Sequence, residues 1–191
     1  MAVAPNASGE LATTTERRPA TGHFAPEEVG QPSTGAVSLR GLTLPGGLGA
    51  HKWVDRSLLD EAQTGLPDGA VPLIVDSDSA ALEAARANVF AVGDGALFTP
   101  PLDGRILPGI TRMRVLEIAE SIGVEVLEQT LTLNDLLNAD EVFLTGSVRG
   151  VEPVRSLDGT ALPADGPLTR RSAAALQRRW TGPAAASPAL L

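Results

Sequence analysis

The sequence predicts an α/β or α+β fold with a mixed β-sheet, centred on residues 37–180. Short apolar runs bounded by turn residues, such as residues 71–75, are typical of buried strands. They alternate with segments of helical periodicity, clearest at residues 111–122, where Val115, Ile118 and Ala119 share one face. The flanking residues 1–36 and 181–191 show no apolar period and are predicted to be disordered tails.

Each element follows from its local pattern. Val37 opens the domain, and glycine-rich or proline-rich turns separate most of the later elements. The predicted strands and extended pieces are 37–39, 42–44, 71–75, 80–84, 88–92, 96–99, 124–130, 141–145 and 151–156. The predicted helices are 53–63, 111–122, 133–138 and about 168–180. A hairpin is expected at Gly93-Asp94-Gly95.

Composition removes several classes of function. The chain of 191 residues is 43% apolar, which is enough for one core with tails. It has no cysteine and two histidines, which excludes thiolate chemistry and disfavours a histidine-built metal site. The net charge of −8 argues against nucleic acid or an anionic membrane as a partner, and no apolar run is long enough to span a bilayer. We therefore expect a cytoplasmic protein with no metal.

Lys52 is the only lysine among fifteen basic residues, and it follows a glycine-rich turn at residues 46–49. A lysine, unlike an arginine, can lose its proton near neutral pH and attack a carbonyl as a free amine. The alternative is a codon bias that left one lysine by accident. The surroundings of Lys52 favour the nucleophile.

Two glycine-containing segments are candidate anion sites. Gly109, Ile110 and Thr111 open the clearest helix, and the free amides of a first turn together with a hydroxyl can hold a phosphate. Residues 145–147, Thr-Gly-Ser, follow an apolar strand and place hydroxyls beside an approachable backbone. The alternatives are a well-capped helix and an ordinary hydroxyl-rich turn.

Two charged positions are candidates for ligand contacts. Glu83 lies between apolar strands, where a carboxylate requires a cationic or hydrogen-bonded partner such as a protonated ring nitrogen. An ion pair with Arg86 is the alternative. Arg149, near Glu152, could receive a substrate carboxylate or could be a surface charge. A reactive lysine, a phosphate seat and a buried acid together match what pyridoxal phosphate requires.

A series of ordered segments between Gly46 and Gly159 carries a family resemblance. The segments are Lys52-x-x-x-Arg56, Leu82-Glu83-Ala84, Asn88-Val89-Phe90, Phe98-Thr99-Pro100-Pro101-Leu102, residues 106–112, residues 139–143, Gly146-Ser147 and Pro153-Val154. In these segments the chain resembles the large domain of the class IV aminotransferases, the fold-type IV pyridoxal-phosphate enzymes. The resemblance implies a mixed sheet or pseudo-barrel with flanking helices, and a homodimer acting on a small-molecule amine.

The resemblance also implies roles for individual residues. Lys52 would bind the cofactor covalently and move the substrate proton, and Glu83 would keep the pyridine nitrogen protonated. The remaining residues implied to contact the cofactor are Asn88, Gly109, Ile110, Thr111 and Ser147. Val148 and Arg149 would contact the substrate.

The residues after the lysine separate two reactions within the family. Branched-chain transaminases usually have Lys-x-Gly-Gly-Asn-Tyr, whereas Lys52 is followed by Trp-Val-Asp-Arg and the chain has no tyrosine. The Lys-x-x-x-Arg form is similar to the 4-amino-4-deoxychorismate lyases, which release pyruvate and 4-aminobenzoate in folate biosynthesis. An amino-acid transaminase of the branched-chain or D-amino acid type is the alternative.

The resemblance also implies a small N-terminal domain that is not matched by residues 1–36. Three interpretations stay open: a fragment, a reading frame started too late, or a chain whose partner supplies the missing wall. A non-catalytic domain that binds the cofactor or serves in assembly is therefore a third functional hypothesis.

Overall fold

The computed structural model describes residues 2–5, 11–14, 35–164 and 166–181. Its strands are β1 (Ala2–Pro5), β2 (Leu11–Thr14), β3 (Val37–Thr43), β4 (Val71–Val75), β5 (Ala80–Ala84), β6 (Ala87–Gly93), β7 (Ala96–Thr99), β8 (Val126–Glu128), β9 (Leu131–Thr132), β10 (Glu141–Gly146), β11 (Gly150–Leu157) and β12 (Thr160–Ala161). Its helices are α1 (Ser57–Thr64), α2 (Ile110–Ser121), α3 (Leu133–Leu137) and α4 (Pro167–Thr181), with a 3-10 turn at Pro67–Gly69.

Six strands form a closed barrel. Their order is β6, β10, β11, β3, β4 and β5, and the pairing of β5 with β6 closes the circle. The pairings of β3 with β4 and with β11 are parallel, and the others in the barrel are antiparallel. Strands β7 and β8 extend the sheet beyond β6, β9 pairs with β5, and β12 pairs with β11. The predicted mixed sheet with flanking helices is confirmed.

Alternation along the strands divides the core into layers. On β6, Val89 and Ala91 pack inside the barrel with residues of the other strands. Phe90 and Val92 point outward and pack against α2 and α4. The rings of Phe90 and Phe143 stack with centroids 5.1 Å apart. A side-chain period of two thus places one apolar face in the barrel and the other under the helices.

The β5–β6 edge has a third apolar cluster on its far side. Residues of α1, β4, β5 and the segment before α2 form it; they are Leu59, Ile74, Ala80, Leu82, Ala85 and Ile106. Through this cluster, α1 packs against the β5–β6 edge of the barrel. It therefore fixes the strands that carry Glu83 and Asn88.

The observed elements follow the predicted order with small shifts. Helix α1 begins at Ser57 instead of residue 53, with Arg56 as its N-cap residue, and just before it the Asp55 carboxylate accepts a hydrogen bond from the Ser57 amide at 2.9 Å. The extended pieces at 37–39 and 42–44 are one strand, β3. The short strands β9 and β12 were not predicted.

The predicted tails are described only in part. In residues 1–36 the structure describes the antiparallel pair of β1 and β2 and residues 35 and 36, which precede the domain. The other residues before Gly35, and residues 182–191, lie outside the described part, so disorder there stays a prediction. Within the described ranges no helix has the length and apolar character that a bilayer crossing needs.

Candidate functional site

All nine predicted site residues line one cleft. Its volume is about 420 Å³, and it lies between the β5, β6 and β10 strand ends, the start of α2 and the segment before α1. The nine residues are Lys52, Glu83, Asn88, Gly109, Ile110, Thr111, Ser147, Val148 and Arg149. They come from four separated segments of the sequence, so the cleft is assembled by the fold.

Glu83 and Asn88 form the inner wall of the cleft. They are opposite each other in the β5–β6 register, and each side chain is only 4% exposed. The Leu107 amide donates to Glu83 Oε1 at 3.1 Å, and Asn88 Nδ2 donates to the Leu107 carbonyl at 2.9 Å. The two side chains therefore clamp one residue, two positions before Gly109.

The environment of Glu83 changes its acidity. Burial raises the pKa of Glu83 to about 7, while the Leu107 amide and the charge of Arg56 act in the opposite direction. The alternative ion pair with Arg86 is not formed, because Arg86 instead contacts Gln63 at 2.8 Å and Asp60 at 3.9 Å. At neutral pH the Glu83 carboxyl is thus able to give its proton to a basic partner.

Arg56 also lines the cleft, although its role was not predicted. Its Nη2 donates to the carbonyl of Ala85, in the turn between β5 and β6. This bond links the segment that carries Lys52 to the strand that carries Glu83. The Lys-x-x-x-Arg spacing was the only sequence signal for it.

The start of α2 faces the cleft without a cap. Gly109 is its N-cap and makes no side-chain hydrogen bond to the first turn. Helix α3 is capped by the Thr132 side chain, and the Glu141 carboxylate accepts from the Leu168 and Thr169 amides at the start of α4. The alternative of a well-capped helix is therefore wrong for α2, whose first turn receives no side-chain cap from the described residues.

Gly109 is required by close packing. A Cβ atom at this position would lie 2.1 Å from Asn88 Oδ1. Its φ of −70° is one that any residue adopts, so the constraint is steric. The glycine lets the helix start approach the inner wall.

The end of β10 contributes a buried hydroxyl. Thr145 is 2% exposed and lies opposite Asn88 in the β6–β10 register. Its Oγ1 is buried and has no hydrogen-bond partner among the described residues. An unpaired buried hydroxyl costs about 1–3 kcal/mol, so its place beside the cleft indicates a bound group or water as its partner.

The turn after β10 forms the outer rim. Ser147, Val148 and Arg149 lie here, and Arg149 contacts Glu152 at 3.7 Å with its side chain 53% exposed. The structure thus places these three predicted residues at the rim of the cleft.

Lys52 lies in the segment before α1, which also lines the cleft. Its side chain is exposed, and it lines the cleft together with its neighbours His51 and Trp53. The turn at residues 46–49 that precedes it rests on the segment around Arg105. That support was not predicted, because nothing near Arg105 in the sequence points to the lysine.

Comparison with known proteins identifies the family. The model of the family described as amino-transferase class IV matches residues 58–157, just over half of the 191 residues. This chain belongs to the class IV aminotransferases. The family is pyridoxal-phosphate-dependent. The matched range includes Glu83 and residues 109–111 but begins after Lys52.

One curated relative and two solved structures show the range of the family. The branched-chain-amino-acid aminotransferase of Escherichia coli K12 is 44% identical over 102 residues, covering 52% of this chain and 33% of the relative. A Legionella pneumophila protein assigned provisionally as a 4-amino-4-deoxychorismate lyase superposes with a TM-score of 0.73 at 27% identity, covering 78% of this chain and 57% of that one. A Mycobacterium tuberculosis protein described as a hypothetical aminotransferase, solved in its PLP-bound form, superposes with a TM-score of 0.68 at 25% identity. The superposition covers 75% of this chain and 55% of that one. The chain thus spans about a third of the curated relative's length and just over half of each solved chain.

Proposed function

We propose that this chain is the cofactor-binding part of a pyridoxal-phosphate enzyme that acts on a small-molecule amine. The observation that carries the proposal is the convergence of Lys52, Glu83 and the uncapped start of α2 on one cleft. These groups are separated by up to 59 positions, from 52 to 111, so their convergence is a property of the fold.

The residues fit the chemistry of the cofactor. Pyridoxal phosphate offers an aldehyde, a basic ring nitrogen and a phosphate. The cleft offers the chain's only lysine amine, a buried carboxyl with a raised pKa, and free amides at a helix start. The unpartnered hydroxyl of Thr145 adds one more donor or acceptor.

Each group in the cleft has a distinct task. The Lys52 amine would hold the aldehyde and would carry a proton to or from the substrate carbon that bears the amino group. Glu83 would keep the ring nitrogen protonated. The amides of Ile110 and Thr111, with the Ser147 hydroxyl, would hold the phosphate. When bound, pyridoxal phosphate supplies a ring that accepts the electrons released at that carbon.

Among the reactions of the family, we favour 4-amino-4-deoxychorismate lyase. Two features support this choice: Arg56 four positions after Lys52, and the absence of any tyrosine in the chain. Arg56 lines the cleft and joins the lysine segment to the β5–β6 turn. The superposition on the Legionella protein points in the same direction.

Amino-acid transamination, of the branched-chain or D-amino acid type, is the second candidate. The observation that favours it is the 44% identity to the Escherichia coli branched-chain-amino-acid aminotransferase. In this reaction the same residues would have the same roles. A keto acid, the amino acceptor, must enter the cleft after the amino-acid donor has left its amino group there.

Product analysis separates these reactions. The purified chain, loaded with pyridoxal phosphate, is incubated with aminodeoxychorismate in the absence of any amino acceptor. A lyase releases equimolar pyruvate and 4-aminobenzoate, and Lys52→Ala releases neither. Keto acid formed only when an acceptor is added would favour the transaminase. Folded, cofactor-loaded protein without turnover in either assay would support the hypothesis of a non-catalytic binding domain.

The homodimer implied by the family resemblance and the cytoplasmic location expected from the composition remain proposals. Light scattering after size-exclusion chromatography tests the first. A mass of one chain at the concentration of the activity assay would contradict it.

A further inference from the structure

The segment from Asp103 to Leu107 contacts both the turn at residues 46–49, called the lysine turn below, and the inner wall formed by Glu83 and Asn88. Its contacts form a continuous connection from the turn that precedes Lys52 to the residue that Glu83 and Asn88 clamp.

The guanidinium of Arg105 is the centre of a network of three carboxylates. It contacts Asp103 at 2.7 Å, Asp76 at 3.0 Å and Asp78 at 3.5 Å. Asp76 in turn accepts a hydrogen bond from the Gly46 amide at 3.0 Å, at the start of the lysine turn. The Gly46 amide and the Arg105 guanidinium both hold the pKa of Asp76 well below its usual range.

The backbone of Arg105 holds the other end of the same turn. The Gly49 amide donates to the Arg105 carbonyl at 3.1 Å. Between the two bonds, a Cβ at Gly47 would lie 2.3 Å from the Arg105 carbonyl oxygen and 2.6 Å from Leu82 Cδ1. The turn at residues 46–49 therefore packs directly against Arg105, and its last residue, Gly49, is three positions before Lys52.

The same segment continues into the wall of the cleft. Ile106 is 1% exposed and packs in the cluster under α1. Leu107 is held through its amide by Glu83 and through its carbonyl by Asn88. A displacement of Arg105 would thus move the lysine turn relative to the buried acid.

We propose that Arg105 is the positioning residue that sets Lys52 relative to Glu83 and the start of α2. The inference rests on the proposed function of Lys52. Arg105 acts through the turn, by a carbonyl that receives Gly49 and a guanidinium that fixes Asp76 for Gly46. An arginine suits this task because its planar fork can bind several carboxylates at once, which the single ammonium of a lysine cannot reproduce.

Two neighbouring glycines give a matched test. Gly46 and Gly47 have φ of 77° and 70°, so alanine at either position carries similar backbone strain. A Cβ at Gly46 meets nothing within 4 Å, whereas a Cβ at Gly47 meets the Arg105 carbonyl oxygen and, next to it, Leu82 Cδ1. We expect pyridoxal phosphate to attach to Lys52 at least about tenfold more slowly in Gly47→Ala than in Gly46→Ala. The rate is followed by the visible absorption band and quantified on the Lys52 peptide after borohydride reduction.

Hydrogen exchange of the peptide that contains Gly49 gives a readout that needs no cofactor. The Gly49 amide should exchange faster in Gly47→Ala than in Gly46→Ala, while thermal unfolding shows that both variants are folded. Equal exchange and equal attachment in the two variants would overturn the proposal. Failure of the unmodified chain to attach the cofactor would overturn the proposed function instead, and the exchange comparison would still decide the role of Arg105.

Substitution of Arg105 tests the guanidinium separately. Arg105→Gln is compared with Arg179→Gln, which breaks an exposed ion pair with Glu117 of 2.7 Å outside the cleft. We expect attachment to slow by about tenfold in Arg105→Gln only, with the pH midpoint of the visible band shifted, and Arg105→Lys to recover part of the loss. If Arg105→Gln attaches the cofactor as fast as Arg179→Gln and the pH midpoint of its visible band is unshifted, the proposal is contradicted. This comparison holds even if Gly47→Ala does not fold.

Discussion

The two sides of the cleft are built in different ways. The wall with Glu83 and Asn88 is made of barrel strands, and both side chains are 4% exposed and bonded to Leu107. The side with Lys52 is a loop whose lysine is exposed and whose shape depends on glycines and backbone hydrogen bonds.

The two sides differ in what the protein controls: the acidity of Glu83 at the wall, and the position of Lys52 in the loop. At the wall, burial raises the pKa of Glu83 against the opposing effects of the Leu107 amide and Arg56, because a low-dielectric environment disfavours the carboxylate charge. At the lysine side, we propose that the contacts of the turn at residues 46–49 with Asp76 and Arg105 set the position of the lysine. Mutations at the wall should therefore alter stability and binding together, and mutations at the turn should alter attachment with less effect on stability.

The largest expected effect tests how closely α2 must approach the wall. Gly109→Ala places a Cβ 2.1 Å from Asn88 Oδ1, which we expect to break the Asn88–Leu107 bond and to lower the free energy of unfolding by about 3 to 4 kcal/mol. Gly65→Ala is the control, because its φ is −77° and its Cβ would make only ordinary contacts at 3.8 Å or more. Equal loss of stability in the two variants, measured by urea unfolding, would contradict close packing at this point.

The second prediction concerns the charge at the wall. Above pH 7 the ionised Glu83 is buried in the cofactor-free protein, so Glu83→Gln should raise its free energy of unfolding by about 3 kcal/mol at pH 8. The same substitution should weaken pyridoxal phosphate binding by about tenfold or more, because a charge-assisted hydrogen bond is lost. Lower stability together with unchanged binding would assign Glu83 a purely structural role.

The pH dependence of this difference has a definite sign. Because the pKa of Glu83 is raised to about 7 in the folded protein, the folded state keeps a proton that the unfolded chain releases near pH 4.5. The contribution of Glu83 to stability is therefore fully present below pH 4.5 and falls until about pH 7. The difference in unfolding free energy between wild type and Glu83→Gln should follow this course in the absence of cofactor. A flat difference between pH 4.5 and 8 would contradict the raised pKa.

The smallest expected effect compares two buried threonines. Thr99 Oγ1 donates to the Val89 carbonyl at 2.9 Å, whereas Thr145 Oγ1 has no partner in the described part of the protein. Thr99→Val should lower the free energy of unfolding by about 1 kcal/mol, and Thr145→Val should leave it unchanged or raise it. Thr145→Val should also weaken cofactor binding. Equal destabilisation by both valines would show that the Thr145 hydroxyl has a partner within the fold.

Local patterns predicted most of the elements because they depend on neighbouring residues. The Gly93-Asp94-Gly95 hairpin is found with Asp94 and Gly95 at φ of 50° and 78°, and Gly123 follows α2 at 75°. The pairing of Leu39 with Leu157, which brings distant strands together in parallel, has no local signal. The closed barrel was therefore implied only by the family resemblance.

The site shows the same division. Lys52, Glu83 and Thr111 could be named from residue type and from the family motifs, and all three line the cleft. Two features could not be predicted: the hydrogen bonds of Glu83 and Asn88 to Leu107, and the contact of the lysine turn with Arg105. Both depend on contacts between residues far apart in the sequence, which a single sequence does not encode in any visible pattern.

The most direct test of the account is to find where pyridoxal phosphate becomes attached. The chain is incubated with the cofactor, reduced with borohydride, digested and mapped by mass spectrometry, with Lys52→Ala and Glu83→Gln in parallel. We expect a single pyridoxyl group on the Lys52 peptide, absent in Lys52→Ala and formed at lower cofactor affinity in Glu83→Gln. Label confined to the N-terminal amine, or equal labelling of the unfolded chain, would contradict a cleft built from Lys52, Glu83 and the start of α2.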